Sequence, residues 1–109
     1  MKTYCLLLDL VDDPALIAEY ESVHKAVWPE ILESIKSSGI TKMEIYRCDN
    51  RLTMIIEATE DFSFEKKAEA DADNIKVQEW EQLMWKYQQA LPGSKPGDKW
   101  KLSNMIFSL

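Results

Sequence analysis

The 109-residue chain is most informative first for what it has little of: one histidine, two cysteines, three glycines, and fewer basic than acidic residues. No apolar run approaches the roughly 20 residues a membrane-spanning helix needs, so a membrane partner is not expected. The glycines are too scattered for a phosphate-cradling loop, and there is no nucleophile elbow. Cys5 and Cys48 lie far apart and fit no metal-ligand spacing. Thirteen Lys and Arg against nineteen Asp and Glu give a formal net charge of −6, which argues against a nucleic-acid partner, since that needs a basic patch. The start, Met1-Lys2-Thr3-Tyr4, carries one positive charge, and its short apolar run is broken by Asp9; it reads as a strand and not as a signal peptide. Two thiols in such a chain are expected to be reduced and buried, in a cytoplasmic protein.

What is present is an ordinary globular balance, 46% hydrophobic and 29% charged, in a length that suits one domain over 1–109. Thr3 to Leu10 reads as a first strand. Asp12-Asp13-Pro14 follows as a helix start, with an acid at the cap and proline in the first turn. Leu16, Ile17, Tyr20, Val23, Val27, Trp28, Ile31 and Ile35 keep close to a 3.6-residue period. Pro29 falls inside this run, removes a backbone bond and crowds the preceding turn. A break is therefore expected near Lys25–Trp28, with a second helical piece to about Ser38 and Gly39 as its stop.

Thr41–Cys48 and Arg51–Thr59 read as a hairpin turning at Asp49-Asn50. Ser63–Ala72 reads as a short helix. A further helix is expected from Ile75 to about Ala90, capped by Asp73 or Asn74, with Val77, Trp80, Met84, Tyr87 and Leu91 on its apolar stripe. Residues 92–97 form a loop by composition, and Trp100–Leu109 reads as a last strand. This order predicts an α+β, ferredoxin-like βαββαβ fold with helices on one side of an antiparallel sheet. Leu6-Leu7-Leu8 and Ile55 would leave apolar side chains on the other face, so a homodimer joined sheet to sheet is expected.

Few groups can move protons near neutral pH. His24 is the single imidazole, four residues after Tyr20 and four before Trp28, so the three share roughly one helix face. A phenol, an imidazole and an indole on one stripe can hold a polyol. The same spacing also fits a partly exposed histidine between two core aromatics, and it leaves both readings open. The other indoles, Trp80, Trp85 and Trp100, can stack on sugar C–H faces or fill a core. Asp9, Glu44 and Glu57 are strand carboxylates that become bases only if they face a cavity.

The segment Tyr20-x-x-x-His24-x-x-x-Trp28-Pro29-Glu30 resembles the first-helix motif of the rhamnose mutarotase family. Gly39, the strand–turn–strand after it, and Trp80-Glu81-x-x-Met84 on the last helix are similar too, and the likeness spans essentially the whole chain. Trp85-Lys86-Tyr87 offers a second alignment for the last-helix motif. The resemblance implies a dimeric α+β barrel that interconverts the α and β anomers of a 6-deoxyhexose, L-rhamnose or L-fucose, without metal or cofactor. It implies His24 as proton donor and Tyr20, Trp80 and Glu81 as substrate contacts. Two positions depart from the family pattern. Met43 stands where the family has a substrate-contacting tyrosine, and Glu81 where a second tryptophan is usual; the sugar is left open between rhamnose and fucose.

Met43, Met54 or Ile55 would supply an apolar wall for the sugar's methyl group. Two other readings share the architecture: a small-molecule oxygenase of the dimeric α+β barrel type, and a non-catalytic sugar-binding dimer.

Overall fold

The computed structural model describes residues 1–95 and 98–109. The chain runs through β1 (Lys2–Leu10), α1 (Pro14–Val23), a short 3-10 turn (His24–Ala26), α2 (Pro29–Ser37), β2 (Ile40–Cys48), β3 (Arg51–Ala58), α3 (Phe64–Ala72), α4 (Ile75–Trp85), β4 (Gln88–Gln89) and β5 (Lys101–Leu102). The strands form one antiparallel sheet in the order β2-β3-β1-β4, with β5 also paired to β1. This is the expected ferredoxin-like arrangement.

The helix starts follow local chemistry. Asp13 accepts hydrogen bonds from the amides of Ala15 and Leu16 at 2.9 and 3.3 Å, and Pro14 occupies the first turn, where its missing N–H costs nothing. Ser63 caps α3 and Asn74 caps α4 in the same way. Pro29 divides the first helical run as expected. The residue before a proline is pushed out of the helical region, and Trp28 is extended at φ −56° and ψ 136°. Gly39 closes α2 at φ +103°, a left-handed conformation that glycine adopts without strain. A Cβ there would stand 2.8 Å from Thr59 Oγ1, and the Gly39 carbonyl accepts the Thr59 amide at 2.9 Å. This one glycine thus ends the helix and seats it against the end of β3.

Strand register sorts the side chains. Leu6, Leu8 and Leu10 of β1, Leu52, Met54, Ile56 and Ala58 of β3, and Met43 and Ile45 of β2 face the helices. Leu8, Leu10, Leu52 and Ile56 are fully buried, each worth about 1.5–3 kcal/mol relative to exposure. The opposite face carries Cys5, Leu7, Thr53, Ile55, Glu44 and Tyr46, and among the described residues no helix lies above it.

Three expectations are corrected. First, α4 ends at Trp85 and not near Ala90, so Tyr87 and Leu91 do not extend its stripe. The Tyr87 carbonyl accepts the Val11 amide at 2.8 Å, and Gln88 pairs with Leu10, so the free edge of β1 captures this segment from the helix. Second, the last strand is not Trp100–Leu109. The fourth-strand position is split between β4 and β5, and residues 90–95 and 98–100 between them belong to no strand. Pairing beyond Leu102 continues only through Ser103, whose amide and hydroxyl both donate to the Cys5 carbonyl, at 2.9 and 2.7 Å. Met105, Ile106, Phe107 and Leu109 are exposed. Third, the cysteines are free but not buried: Cys5 is half-buried and Cys48 exposed, because both lie on the sheet face that no helix covers. Of the expected 92–97 loop, Pro96 and Gly97 lie outside the described residues. Among the described residues no helix is long and apolar enough to cross a membrane.

Candidate active site

α1 ends at Val23, ahead of the break at Pro29, and His24 is its C-terminal cap. The His24 side chain turns back on the helix end, and Nδ1 lies 2.8 Å from the Tyr20 carbonyl oxygen. A carbonyl only accepts, so Nδ1 carries the hydrogen and Nε2 of the neutral ring is a free acceptor. The imidazole is held between two aromatic partners. Its ring centre is 4.3 Å from that of Tyr20 and 5.7 Å from that of Trp80, the latter edge to face. Trp28 meets Trp80 edge to face at 5.1 Å, which fixes the indole from behind.

A cavity of about 870 Å³ opens between the helices and the sheet. Tyr20, His24, Met43, Trp80 and Glu81 all line it. Every site residue expected from the sequence is therefore brought together at one place. Of the two indoles offered by the last helix, Trp80 lines this cavity. Its surface is mostly apolar, with Met43 and Met54 on the strand side; Ile55 faces the other side of the sheet and contributes nothing here. A smaller cavity of about 310 Å³ reaches Tyr20 and His24 from the rim, where Arg47 pairs with Glu21.

The Tyr20 phenol is buried, and burial pushes its pKa above the ordinary 10.0, with the nearby Gln88 amide opposing the shift. At neutral pH the phenol keeps its proton. The strand carboxylates play no part in this cavity. Asp9 is buried but engaged by Arg51 at 2.8 and 3.2 Å, and Glu44 and Glu57 share Lys42 on the opposite sheet face. Among the described residues no group of three or more His, Cys, Asp and Glu side chains is placed to hold a metal ion.

Gln88 and Lys99 line the cavity although neither stood out in the sequence, and Trp100, read as a sugar-stacking or core indole, lines it as well. Gln88 was hidden because it reads as helix. Lys99 and Trp100 sit at the end of the segment that splits the fourth strand. The composition of 92–97 marks a loop, but not where the chain returns to the cavity.

Residues 3–109 match the sequence profile of the L-rhamnose mutarotase family. The chain belongs to this family. Mutarotases are isomerases. The chain is 47% identical to an L-fucose mutarotase of Xanthomonas campestris pv. campestris over 111 aligned positions, covering all of this chain and 89% of that one. Among solved structures it is similar to an L-rhamnose mutarotase of Formosa agariphila, with a TM-score of 0.74, 19% identity and coverage of 100% and 99%. A dimeric ferredoxin-like protein from an uncultured marine organism superposes with a TM-score of 0.59 at 12% identity, over 98% of this chain and 96% of that one. At these identities the structural likeness speaks for the fold alone.

Proposed function

We propose that this mutarotase acts on a free 6-deoxyhexose, L-fucose or L-rhamnose, with His24 as the catalytic residue and Tyr20, Met43, Trp80 and Glu81 as substrate contacts. The observation that carries the reading is the fixed His24 tautomer, which leaves Nε2 as a free acceptor in a ring that lines the cavity beside a protonated phenol. Mutarotation requires the anomeric hydroxyl to lose its proton while the ring oxygen gains one. The C1–O5 bond then breaks and a C1 carbonyl forms. Rotation about C1–C2 and closure on the other face return both protons. His24 Nε2 accepts the anomeric proton while the ring oxygen takes one from a solvent molecule, and closure on the other face reverses both transfers. General acid–base assistance of this kind is typically worth about 10²–10⁴-fold.

The remaining contacts suit the substrate. The Trp80 indole gives a flat apolar face to sugar C–H bonds, and Met43 and Met54 give the 6-methyl group a wall without unpaired polar atoms. L-fucose is favoured as substrate by the 47% identity to an L-fucose mutarotase. Saturation-transfer NMR of L-fucose and L-rhamnose is the test. Accelerated exchange between anomer signals is expected for at least one sugar, and no acceleration for either refutes the reading.

The working unit we propose is a homodimer in a cytoplasmic setting. The uncovered sheet face presents Leu7 and Ile55, and the tail beyond Ser103 exposes Met105, Ile106, Phe107 and Leu109. Apolar surface of that kind is a liability in an isolated subunit and is removed when two sheets pack about a two-fold axis.

A further inference from the structure

The rim of the cavity carries a charged pair that the mechanism above does not use. Lys99 Nζ lies 2.8 Å from Glu81 Oε2, and both side chains, about one-third exposed at 36% and 34%, line the cavity. Glu81 follows Trp80 on α4, whereas Lys99 comes from the segment between β4 and β5. The Lys99 ammonium also stands 5.7 Å from the Trp85 ring centre, which restricts where its charge can go. Trp100, the next residue, lines the cavity and packs against both halves of the core, so the segment is anchored beside the pair. A carboxylate that only accepts and an ammonium that only donates, fixed side by side and half in solvent, match one hydroxyl that must both give and take a hydrogen bond.

We propose that the Glu81–Lys99 pair reads the hydroxyl at C4 of the sugar and thereby sets which 6-deoxyhexose is accepted. This rests on the mutarotase reading of the cavity. The geometry of a pyranose supplies the position. When C1 and the ring oxygen face His24, the far corner of the ring, C3 and C4, points away from the imidazole, and C3–C4 hydroxyls are those left for a polar pair at the rim. L-fucose carries its C4 hydroxyl axial and L-rhamnose carries it equatorial, so a fixed donor–acceptor pair satisfies one orientation and misses the other. Because the pair is about one-third exposed and its members keep each other as partners, losing the hydroxyl costs one hydrogen bond, the modest discrimination expected of a rim contact. The two residues are specificity determinants and take no part in proton transfer.

The test measures anomer exchange against concentration for L-fucose and its C4 epimer, 6-deoxy-L-glucose, in the full-length wild type, Glu81→Gln, Lys99→Met and the charge swap Glu81→Lys/Lys99→Glu. The wild type is expected to prefer one epimer. Both single variants should raise KM for that epimer by about 5- to 30-fold with kcat within about twofold, the signature of lost binding made equally in ground and transition states. The preference between epimers should fall to within about twofold of unity. The swap keeps the attraction that ties segment 98–100 to α4 but reverses donor and acceptor, so it should retain the thermal midpoint without restoring selectivity. If Lys99→Met does not fold, Glu81→Gln, which keeps the side-chain shape, gives the same reading.

Equal use of both epimers by the wild type overturns the proposal, as does wild-type selectivity in the single variants. Full restoration by the swap also overturns it, by reducing the pair to a latch. In each of these cases wild-type exchange persists and the mutarotase reading stands. Absence of wild-type exchange on L-fucose, L-rhamnose and the epimer alike removes both.

Discussion

The imidazole of His24 donates from Nδ1 to the backbone carbonyl of Tyr20, 2.8 Å away and one helical turn earlier in the chain. Through this bond the end of α1 sets the orientation and the tautomer of the only histidine in the sequence. α1 ends at Val23, a 3-10 turn covers His24–Ala26, and Val27 and Trp28 are extended ahead of Pro29, so the break in the helical run leaves the imidazole at a helix end.

Replacing His24 by Asn or Ala should lower accelerated anomer exchange by about 10²–10⁴-fold, the usual worth of positioned acid–base help. The fold should survive, because the ring is only half-buried and its loss removes one part-buried hydrogen bond; the cost in stability should stay at about 1–2 kcal/mol. Saturation-transfer NMR paired with a thermal melt separates the two effects. Unchanged exchange in a folded His24→Asn protein removes His24 from the mechanism.

Tyr20 gives a prediction in pH. Burial holds its phenol above 10.0, against the opposing influence of Gln88. Below pH 10 the folded and unfolded chains both keep this proton, and Tyr20 adds no pH dependence. Above that value the unfolded chain releases the proton first, so stability falls, by at most about 1.4 kcal/mol per pH unit, until the folded phenol ionises as well. Tyr20→Phe should flatten that part of the alkaline stability curve and delete one high-pH step from the absorbance titration at the tyrosinate band. An unchanged curve would show that the phenol is solvated in the folded protein.

Much of this site was legible in the sequence because it is built from spacing along helices. Tyr20 and His24 lie four apart on α1, and Trp80 and Glu81 follow the Asn74 cap of α4, so their placement depends on local rules of period and capping. Pro29 and Gly39 punctuate the first half for steric reasons that do not depend on the rest of the fold. The second half is different. Gln88 and Gln89 leave the helix because β1 has a free edge nearby, and Lys99 and Trp100 reach the cavity because the fourth strand is interrupted. Those are long-range pairings, and no window of the sequence contains both partners. Cys48 was misjudged for a related reason: strand alternation shows that a residue lies on one face, but not which face the helices cover.

Gly39 offers a stability test away from the cavity. Its φ of +103° is accessible to glycine, and an added Cβ would approach Thr59 Oγ1 at 2.8 Å. Gly39→Ala should therefore destabilise the protein by roughly 1–3 kcal/mol through backbone strain and local displacement. Denaturant titration should show a lower midpoint with an unchanged slope. Since Gly39 joins α2 to β2 and touches neither His24 nor Tyr20, anomer exchange per folded molecule should stay near the wild-type rate. A midpoint equal to wild type would mean that the turn relaxes without cost.

The tail provides the test of assembly. Pairing along the free edge of β1 stops at Ser103, and the apolar residues Met105, Ile106, Phe107 and Leu109 continue into solvent in the single subunit. Burying a large apolar side chain is worth about 1.5–3 kcal/mol, so leaving four of them exposed forgoes a stabilisation comparable to that of a whole small domain. A second subunit recovers it if the tail crosses onto the partner or packs beneath the joined sheets. Deleting Met105–Leu109 should then shift the protein from dimer to monomer in sedimentation velocity at micromolar concentration, and Ile55→Lys on the uncovered sheet face should do the same by placing a charge in the interface. Both variants keep the helix-side core of Leu8, Leu10, Leu52 and Ile56 and should remain folded by circular dichroism. A wild-type monomer at that concentration would overturn the dimer, and dimers that persist in both variants would place the contact elsewhere and leave the tail without a role in assembly.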